Sequence, residues 1–307
     1  MTENQSSTPE SGEAPPADAD HRERRILVTG AAGMLGVDLV ARLAARHEVV
    51  GVDLDVDVTD ADAVTACVAD ARPAAIFHCA AWTDVDGAEG AEEAARAVNE
   101  DGCRNVALAA READAALVIP STDYVFDGRK GAPYTEDDPP APLGAYGRTK
   151  LAGERAALDA HPGGTRVART AWLYGAHGRN FVDTMLRLAD ERDEVAVVDD
   201  QEGSPTWTRD LAEALEALVA RPPGVYNTAG AGSVTWAGFA RAIFEVAGRD
   251  CRVRPITTAE LGRPAPRPEV SVLVPTRAGA PRLRGWREAL AAYLAERVAA
   301  PGPGALA

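Results

Sequence analysis

Tyr146 and Lys150 stand four residues apart in Tyr146-Gly147-Arg148-Thr149-Lys150, directly after the proline-rich stretch Asp138-Pro139-Pro140-Ala141-Pro142. On a helix beginning near Leu143, a separation of four is one turn, roughly 6 Å of rise, and both side chains leave from one face. An ammonium beside a phenol favours the phenolate, so Lys150 is expected to lower the pKa of Tyr146 from its ordinary value of about 10. A phenol tuned in this way can pass a proton to a carbonyl oxygen near neutral pH. A tyrosine and a lysine at this spacing also occur on ordinary exposed helices, so the pair gains meaning only beside a second signal.

That signal lies near the start of the chain. Arg25-Ile26-Leu27-Val28 reads as a short buried strand running into Thr29-Gly30-Ala31-Ala32-Gly33-Met34-Leu35-Gly36, and Val37, Leu39, Val40 and Leu43 continue with helical spacing. Strand, glycine turn and helix in this order form a dinucleotide cradle. Gly30 permits the turn, Gly33 lets backbone approach a diphosphate at the helix N-terminus, and Gly36 lets the helix pack on the sheet. Glu48-Val49-Val50-Gly51-Val52-Asp53 reads as a second strand ending in an acid. Asp53 lies 53 − 30 = 23 residues past the first glycine, close to the roughly 20 expected of the acid that binds the adenosine ribose.

Further segments follow in order: Asp57-Val58-Thr59-Asp60, His78-Cys79-Ala80-Ala81-Trp82-Thr83-Asp84-Val85-Asp86, Ser121-Thr122-Asp123-Tyr124-Val125-Phe126-Asp127-Gly128, Arg169-Thr170-Ala171-Trp172-Leu173-Tyr174-Gly175 and Asp200-Gln201-Glu202-Gly203-Ser204-Pro205-Thr206. With the glycine loop and the Tyr146 segment, these resemble the extended short-chain dehydrogenase/reductase superfamily, and within it the dTDP-4-dehydrorhamnose reductases, from about Arg25 to the C-terminal helix. The resemblance implies NADH or NADPH as cofactor and a dTDP-linked 4-keto-6-deoxy sugar as substrate. It implies cofactor contacts from Met34, Leu35, Asp57, Val58, Ala80, Ala81 and Trp82, beside Gly30, Gly33, Gly36 and Asp53. Tyr146 then donates the proton, Lys150 binds the nicotinamide ribose, Thr122 hydrogen-bonds the developing oxyanion, and Asp123, Tyr124 and Trp172 lie near the hexose. Arg263 and Arg267 are candidate phosphate ligands, although a solvated loop also suits them, and Trp172 also suits an apolar core position. The chain departs from the family pattern where Arg267-Pro268-Glu269-Val270-Ser271 carries Glu269 and Val270 in place of small or aromatic residues, and Trp82 stands where histidine is more usual.

Composition bounds the alternatives. With 307 residues, 46% of them hydrophobic, the chain can bury a large core. A formal net charge of -15 argues against nucleic-acid or anionic-membrane surfaces as partners, while local arginines and helix N-termini still allow an anionic small molecule. Cys67, Cys79, Cys103 and Cys251 have no paired spacing and read as reduced thiols of a cytoplasmic protein, acting as a monomer or homodimer; no metal constellation is present.

The expected architecture is α/β: a Rossmann-type doubly wound parallel sheet with a smaller, interleaved C-terminal substrate lobe. Residues 1–22 are too polar to order themselves, residues 23–171 form the cofactor lobe, and 172–307 form mainly the substrate lobe, with 194–220 returning to the first. One helix is expected from about Ala91 to Ala113. Rival readings share this fold. A nucleotide-sugar dehydratase needs a carboxylic acid directly after the Thr122-Asp123 pair, where this chain has Tyr124; an epimerase shares Tyr146 and Lys150; a non-catalytic regulatory subunit like that of methionine adenosyltransferase has no need of Thr122, Tyr146 and Lys150 together.

Overall fold

A computed structural model describes residues 24–299; the polar segment 1–22 lies outside the described residues. Five strands open the chain: β1 (Arg25–Thr29), β2 (Glu48–Val52), β3 (Ala75–His78), β4 (Ala116–Thr122) and β5 (Thr165–Thr170). With Gly224–Asn227 they form a six-stranded, wholly parallel sheet in the order Gly224–Asn227, β5, β4, β3, β1, β2. The chain first moves outward from β1 to β2 and then crosses to β3 on the other side. The carboxyl ends of β1 and β3 therefore flank a topological switch point, the crevice where such sheets bind ligands.

Successive residues of a strand face opposite sides of the sheet, and helices cover both. On one face Leu27, Ile76, Leu117, Ile119 and Val167 pack against α2 (Ala61–Ala71), with Val64 and Val68, and against the helix Gly102–Glu112, with Val106 and Ala110. On the other, Ile26, Val28, Phe77, Val118 and Ala168 meet Leu35, Leu39 and Leu43 of α1 (Met34–Leu43) and Leu211, Leu215 and Leu218 of the helix Thr208–Leu218. Each such side chain contributes about 1.5–3 kcal/mol by leaving water, which is why these strands read as unbroken apolar runs.

A second lobe gathers Tyr174, Val182, Val195, Val197, Phe239, Ile243, Leu290 and Tyr293. They come from the helices Phe181–Glu191, Trp236–Ala247 and Trp286–Ala299 and from the strand Glu194–Val198, which pairs in parallel with Arg252–Ile256. The return to the first lobe expected over 194–220 is thus displaced. Glu194–Val198 stays in the second lobe because Val195 and Val197 bury there, whereas Thr208–Leu218 packs on α1 and the return continues to Gly224–Asn227 at the sheet edge. The helix expected from about Ala91 to Ala113 runs over Glu92–Glu112 with Ala91 and Ala113 as its caps, and departs from expectation only where Ala97–Asp101 forms a π-turn between Glu92–Arg96 and Gly102–Glu112. No helix among the described residues is long and apolar enough to cross a membrane.

Candidate active site

The glycine loop closes on the exit of β3. Gly30 has φ +66°, and a Cβ there would stand 2.5 Å from the Ala80 amide nitrogen; a Cβ on Gly36 would stand 2.1 Å from the Gly30 carbonyl oxygen. Both positions exclude side chains, so the loop lies flat under the first turn of α1. Gly33 caps α1 without a side-chain partner, which leaves the helix N-terminus open to an anion. Met34 and buried Leu35 begin the helix. Asp53, at the end of β2, accepts from the Ala32 amide at 2.8 Å and the Leu54 amide at 3.0 Å, tying the acid to the cradle. These features suit a dinucleotide.

The neighbouring cofactor candidates divide. Asp57 turns on Thr59, accepting from its amide at 2.9 Å and its hydroxyl at 2.7 Å, bonds that hold its carboxyl below the usual range. Val58 is buried in the core under α2. Ala80, Ala81 and Trp82 line the loop after β3, and Asn99 fixes that loop: its Oδ1 accepts from the Trp82 amide at 2.9 Å while its Nδ2 donates to the Thr149 hydroxyl at 3.1 Å. Asn99 sits in the π-turn and carries no sequence signal that singles it out.

Tyr146 and Lys150 lie on the helix Ala145–Ala160, whose first amide is capped by Glu89 at 2.7 Å. Lys150 donates to the Pro120 carbonyl at 2.9 Å, which places the helix against the end of β4. Thr122 is the last residue of β4; its hydroxyl donates to Asp123 Oδ1 at 3.1 Å and accepts from the Tyr124 amide at 3.1 Å. Tyr124 presents its ring edge to Tyr146 with centroids 5.9 Å apart. One expectation is corrected here. Burial pushes the Tyr146 phenol up to about 12, aided by the Asp123 charge and opposed by the nearby Thr122 hydroxyl; the Lys150 ammonium, engaged with Pro120, does not bring it down. Desolvation, which favours the neutral phenol, outweighs the cation.

The substrate-side candidates are more dispersed. Asp123 is buried, and desolvation raises it to about 7 against the hydrogen bonds from Ser271 and Thr122. Arg267 makes two 3.0 Å bonds to Asp86, its positive charge lying near Tyr124, and Arg263 reaches the same Asp86 at 3.1 Å. Both arginines are therefore held to the first lobe by one carboxylate. Trp172 stacks on Trp236 with centroids 3.5 Å apart, at a backbone φ of +49° that is uncommon for a bulky residue. Beneath these groups a buried ion pair, Arg169 to Glu154 at 2.7 Å, joins β5 to the Tyr146 helix, and Ser121 of β4 donates to the same glutamate at 2.5 Å. Glu154, four residues past Lys150 on the same helix face, was available to sequence reading; Asp86 and Ser271 carry no local pattern. No cluster of metal-ligating side chains occurs among the described residues.

Comparison with known proteins places this geometry. Residues 24–299 match the family described as RmlD substrate binding domain. The chain is 48% identical over 295 residues to dTDP-4-dehydrorhamnose reductase of Streptomyces griseus, covering 91% of this chain and 97% of that protein. It is 47% identical over 273 residues to dTDP-4-keto-6-deoxy-D-glucose reductase of Streptomyces niveus, covering 87% and 95%. The crystal structure of dTDP-4-dehydrorhamnose reductase from Bacillus anthracis in complex with NADP superposes with a TM-score of 0.87 at 38% identity, covering 90% of this chain and all of that one. With its glycine cradle, its Tyr146 helix seated against the end of β4 and these relatives, the chain belongs to the dTDP-4-dehydrorhamnose reductase family.

Proposed function

We propose that this protein reduces the 4-keto group of a dTDP-linked 4-keto-6-deoxyhexose with NAD(P)H. The seating of the Tyr146 helix against the end of β4, fixed by Lys150 on the Pro120 carbonyl at 2.9 Å, carries the reading, because it brings a proton donor and Thr122 to one strand end beside the switch-point crevice. A reduced nicotinamide, when bound, supplies the hydride. Gly30, Gly33, Met34, Leu35 and Gly36 hold its diphosphate end, Asp53 its adenosine ribose, and Ala80, Ala81 and Trp82 its flank. Tyr146 gives its proton to the ketone oxygen, Thr122 hydrogen-bonds that oxygen as charge develops, and Lys150 orients the ribose beside Tyr146. Asp123, Tyr124 and Trp172 border the hexose and Arg267 the diphosphate; Asp57 and Val58 remain secondary, since one is turned on Thr59 and the other is core.

Tyr124 disfavours sugar dehydration. A phenol stands where that class needs a carboxylic acid directly after the Thr122-Asp123 pair, so no carboxyl is placed there to protonate a departing hydroxyl. The reading extends to a cytoplasmic protein with reduced cysteines, working as a monomer or homodimer. Addition of a dTDP-4-keto-6-deoxyhexose with NADH or NADPH should remove the near-ultraviolet absorbance of the reduced nicotinamide in a one-to-one ratio with product, whereas dTDP-glucose should give no turnover. Redox-neutral conversion of dTDP-glucose with a retained oxidised cofactor would overturn the proposal.

A further inference from the structure

We propose that Ser271 is a positioning residue for the reduction: its hydroxyl, carried across from the second lobe, fixes the Asp123 carboxylate and through it the Thr122 hydroxyl at the end of β4. The inference rests on the ketoreductase reading of the site. Ser271 and Asp123 are 148 residues apart, yet Ser271 Oγ donates to Asp123 Oδ2 at 2.5 Å, and each residue is only 2% exposed. The Ser271 amide donates to the Glu202 carbonyl at 2.8 Å, which anchors the serine in its own lobe. The remaining carboxylate oxygen, Oδ1, accepts from Thr122.

The neighbours of Asp123 define what the serine does. From the turn after β4 it faces Tyr124 and the Tyr124 amide, from the Tyr146 helix it faces the Tyr146 phenol, and from the 263–271 segment it faces Ser271, with Arg267 one step removed on Tyr124. Lys150 turns its ammonium to Pro120 instead. Both phenols stay neutral through the working pH range, so hydroxyls and amides, rather than an ion pair, hold the carboxylate.

The Thr122 hydroxyl is held on both sides: its proton goes to Asp123 Oδ1 at 3.1 Å and its oxygen accepts from the Tyr124 amide at 3.1 Å. While Asp123 is ionised and held by Ser271, this arrangement fixes the hydroxyl at the end of β4, beside the helix that carries Tyr146. Removal of Ser271 takes one hydrogen bond from the charged form; Asp123 then binds a proton at higher pH and its hold on Thr122 weakens. The contact from the second lobe to the first thereby sets the hydroxyl that lies beside the proton donor.

The test uses the full-length protein labelled with ¹³C at aspartate carboxyl carbons, with Asp123→Asn identifying the Asp123 signal. Ser271→Ala should move the Asp123 titration to higher pH, and Ser271→Thr should keep it at the wild-type position. In the keto-sugar assay Ser271→Ala should lower kcat about tenfold with cofactor KM unchanged, and the loss should vanish when the change is made in the Asp123→Asn protein. An Asp123 midpoint identical in wild type and Ser271→Ala, or losses from the two variants that simply multiply, would overturn the proposal. If Ser271→Ala does not fold, Ser271→Cys, a weaker donor of similar size, should give an intermediate midpoint, and an unchanged one counts against the idea. The carboxyl titration needs no substrate, so a wrong substrate assignment would leave it standing.

Discussion

At Tyr146 the proton is held by desolvation rather than loosened by its lysine. A phenol raised to about 12 remains protonated as pH rises through neutrality and is lost as a donor only on approach to that value, so no alkaline limb from Tyr146 should appear near neutral pH. Tyr146→Phe keeps the ring against Tyr124 but removes the transferable proton; kcat should fall by roughly 10²- to 10⁴-fold with cofactor affinity retained. Turnover at the wild-type rate in that variant would exclude the role. At the other end of the cradle, Asp53 sits where a 2′-phosphate would add a second negative charge, and Leu54 and Asp55 after it supply no arginine. Electrostatics therefore favour NADH, even though the Bacillus anthracis relative is in complex with NADP. Comparison of kcat/KM for the two cofactors decides this: a preference of more than about tenfold for NADPH would show that Asp53 does not set the choice.

Among the elements, the Tyr146 helix depends on a contact that local sequence only half reveals. Arg169 and Glu154 are 4% and 3% exposed, with Ser121 completing the glutamate's partners and the Arg169 guanidinium 5.2 Å from the centroid of Phe126. Arg169→Ala leaves the glutamate buried and uncompensated, so unfolding in urea should show a loss of about 3–5 kcal/mol; a loss below about 1 kcal/mol, as for an exposed pair, would mean that the site is wetter than it looks. The apolar runs of β1 to β5, the glycine cradle and Asp53 were legible in the sequence because period and spacing are local properties. So was the Tyr146–Lys150 helix face. The π-turn holding Asn99 was not, since an alanine-rich stretch keeps helical periodicity through it. Nor was the partner of Arg267: Asp86 lies 181 residues away, and no pattern in either segment specifies the other.

For the molecule as a whole, the clamp between lobes is electrostatic and asymmetric. Asp86 alone carries both Arg263 and Arg267, while Glu89 borders the same segment beside Pro266. Asp86 also accepts the Ala265 amide at 3.2 Å, which makes the clamp measurable. In Asp86→Ala, hydrogen exchange should quicken at the Ala265 amide, which loses its acceptor, while the glycine loop keeps its protection. Unchanged exchange there would mean that other contacts hold the segment.

The Trp172–Trp236 pair has a further consequence. One indole follows β5 of the cofactor lobe and the other begins a helix of the second lobe, and they lie nearly parallel, with an interplanar angle of 5°. A Cβ on Gly203 would stand 2.4 Å from Trp172 Cε2, so the ring has no room to slide on that side. Two indoles stacked this closely share their excited states and give a strong near-ultraviolet circular-dichroism signal that depends on their mutual angle. Any movement that tilts the Trp236 helix against the strand end carrying Trp172 changes that angle, so the protein carries a label-free optical gauge of how this aromatic seam is packed.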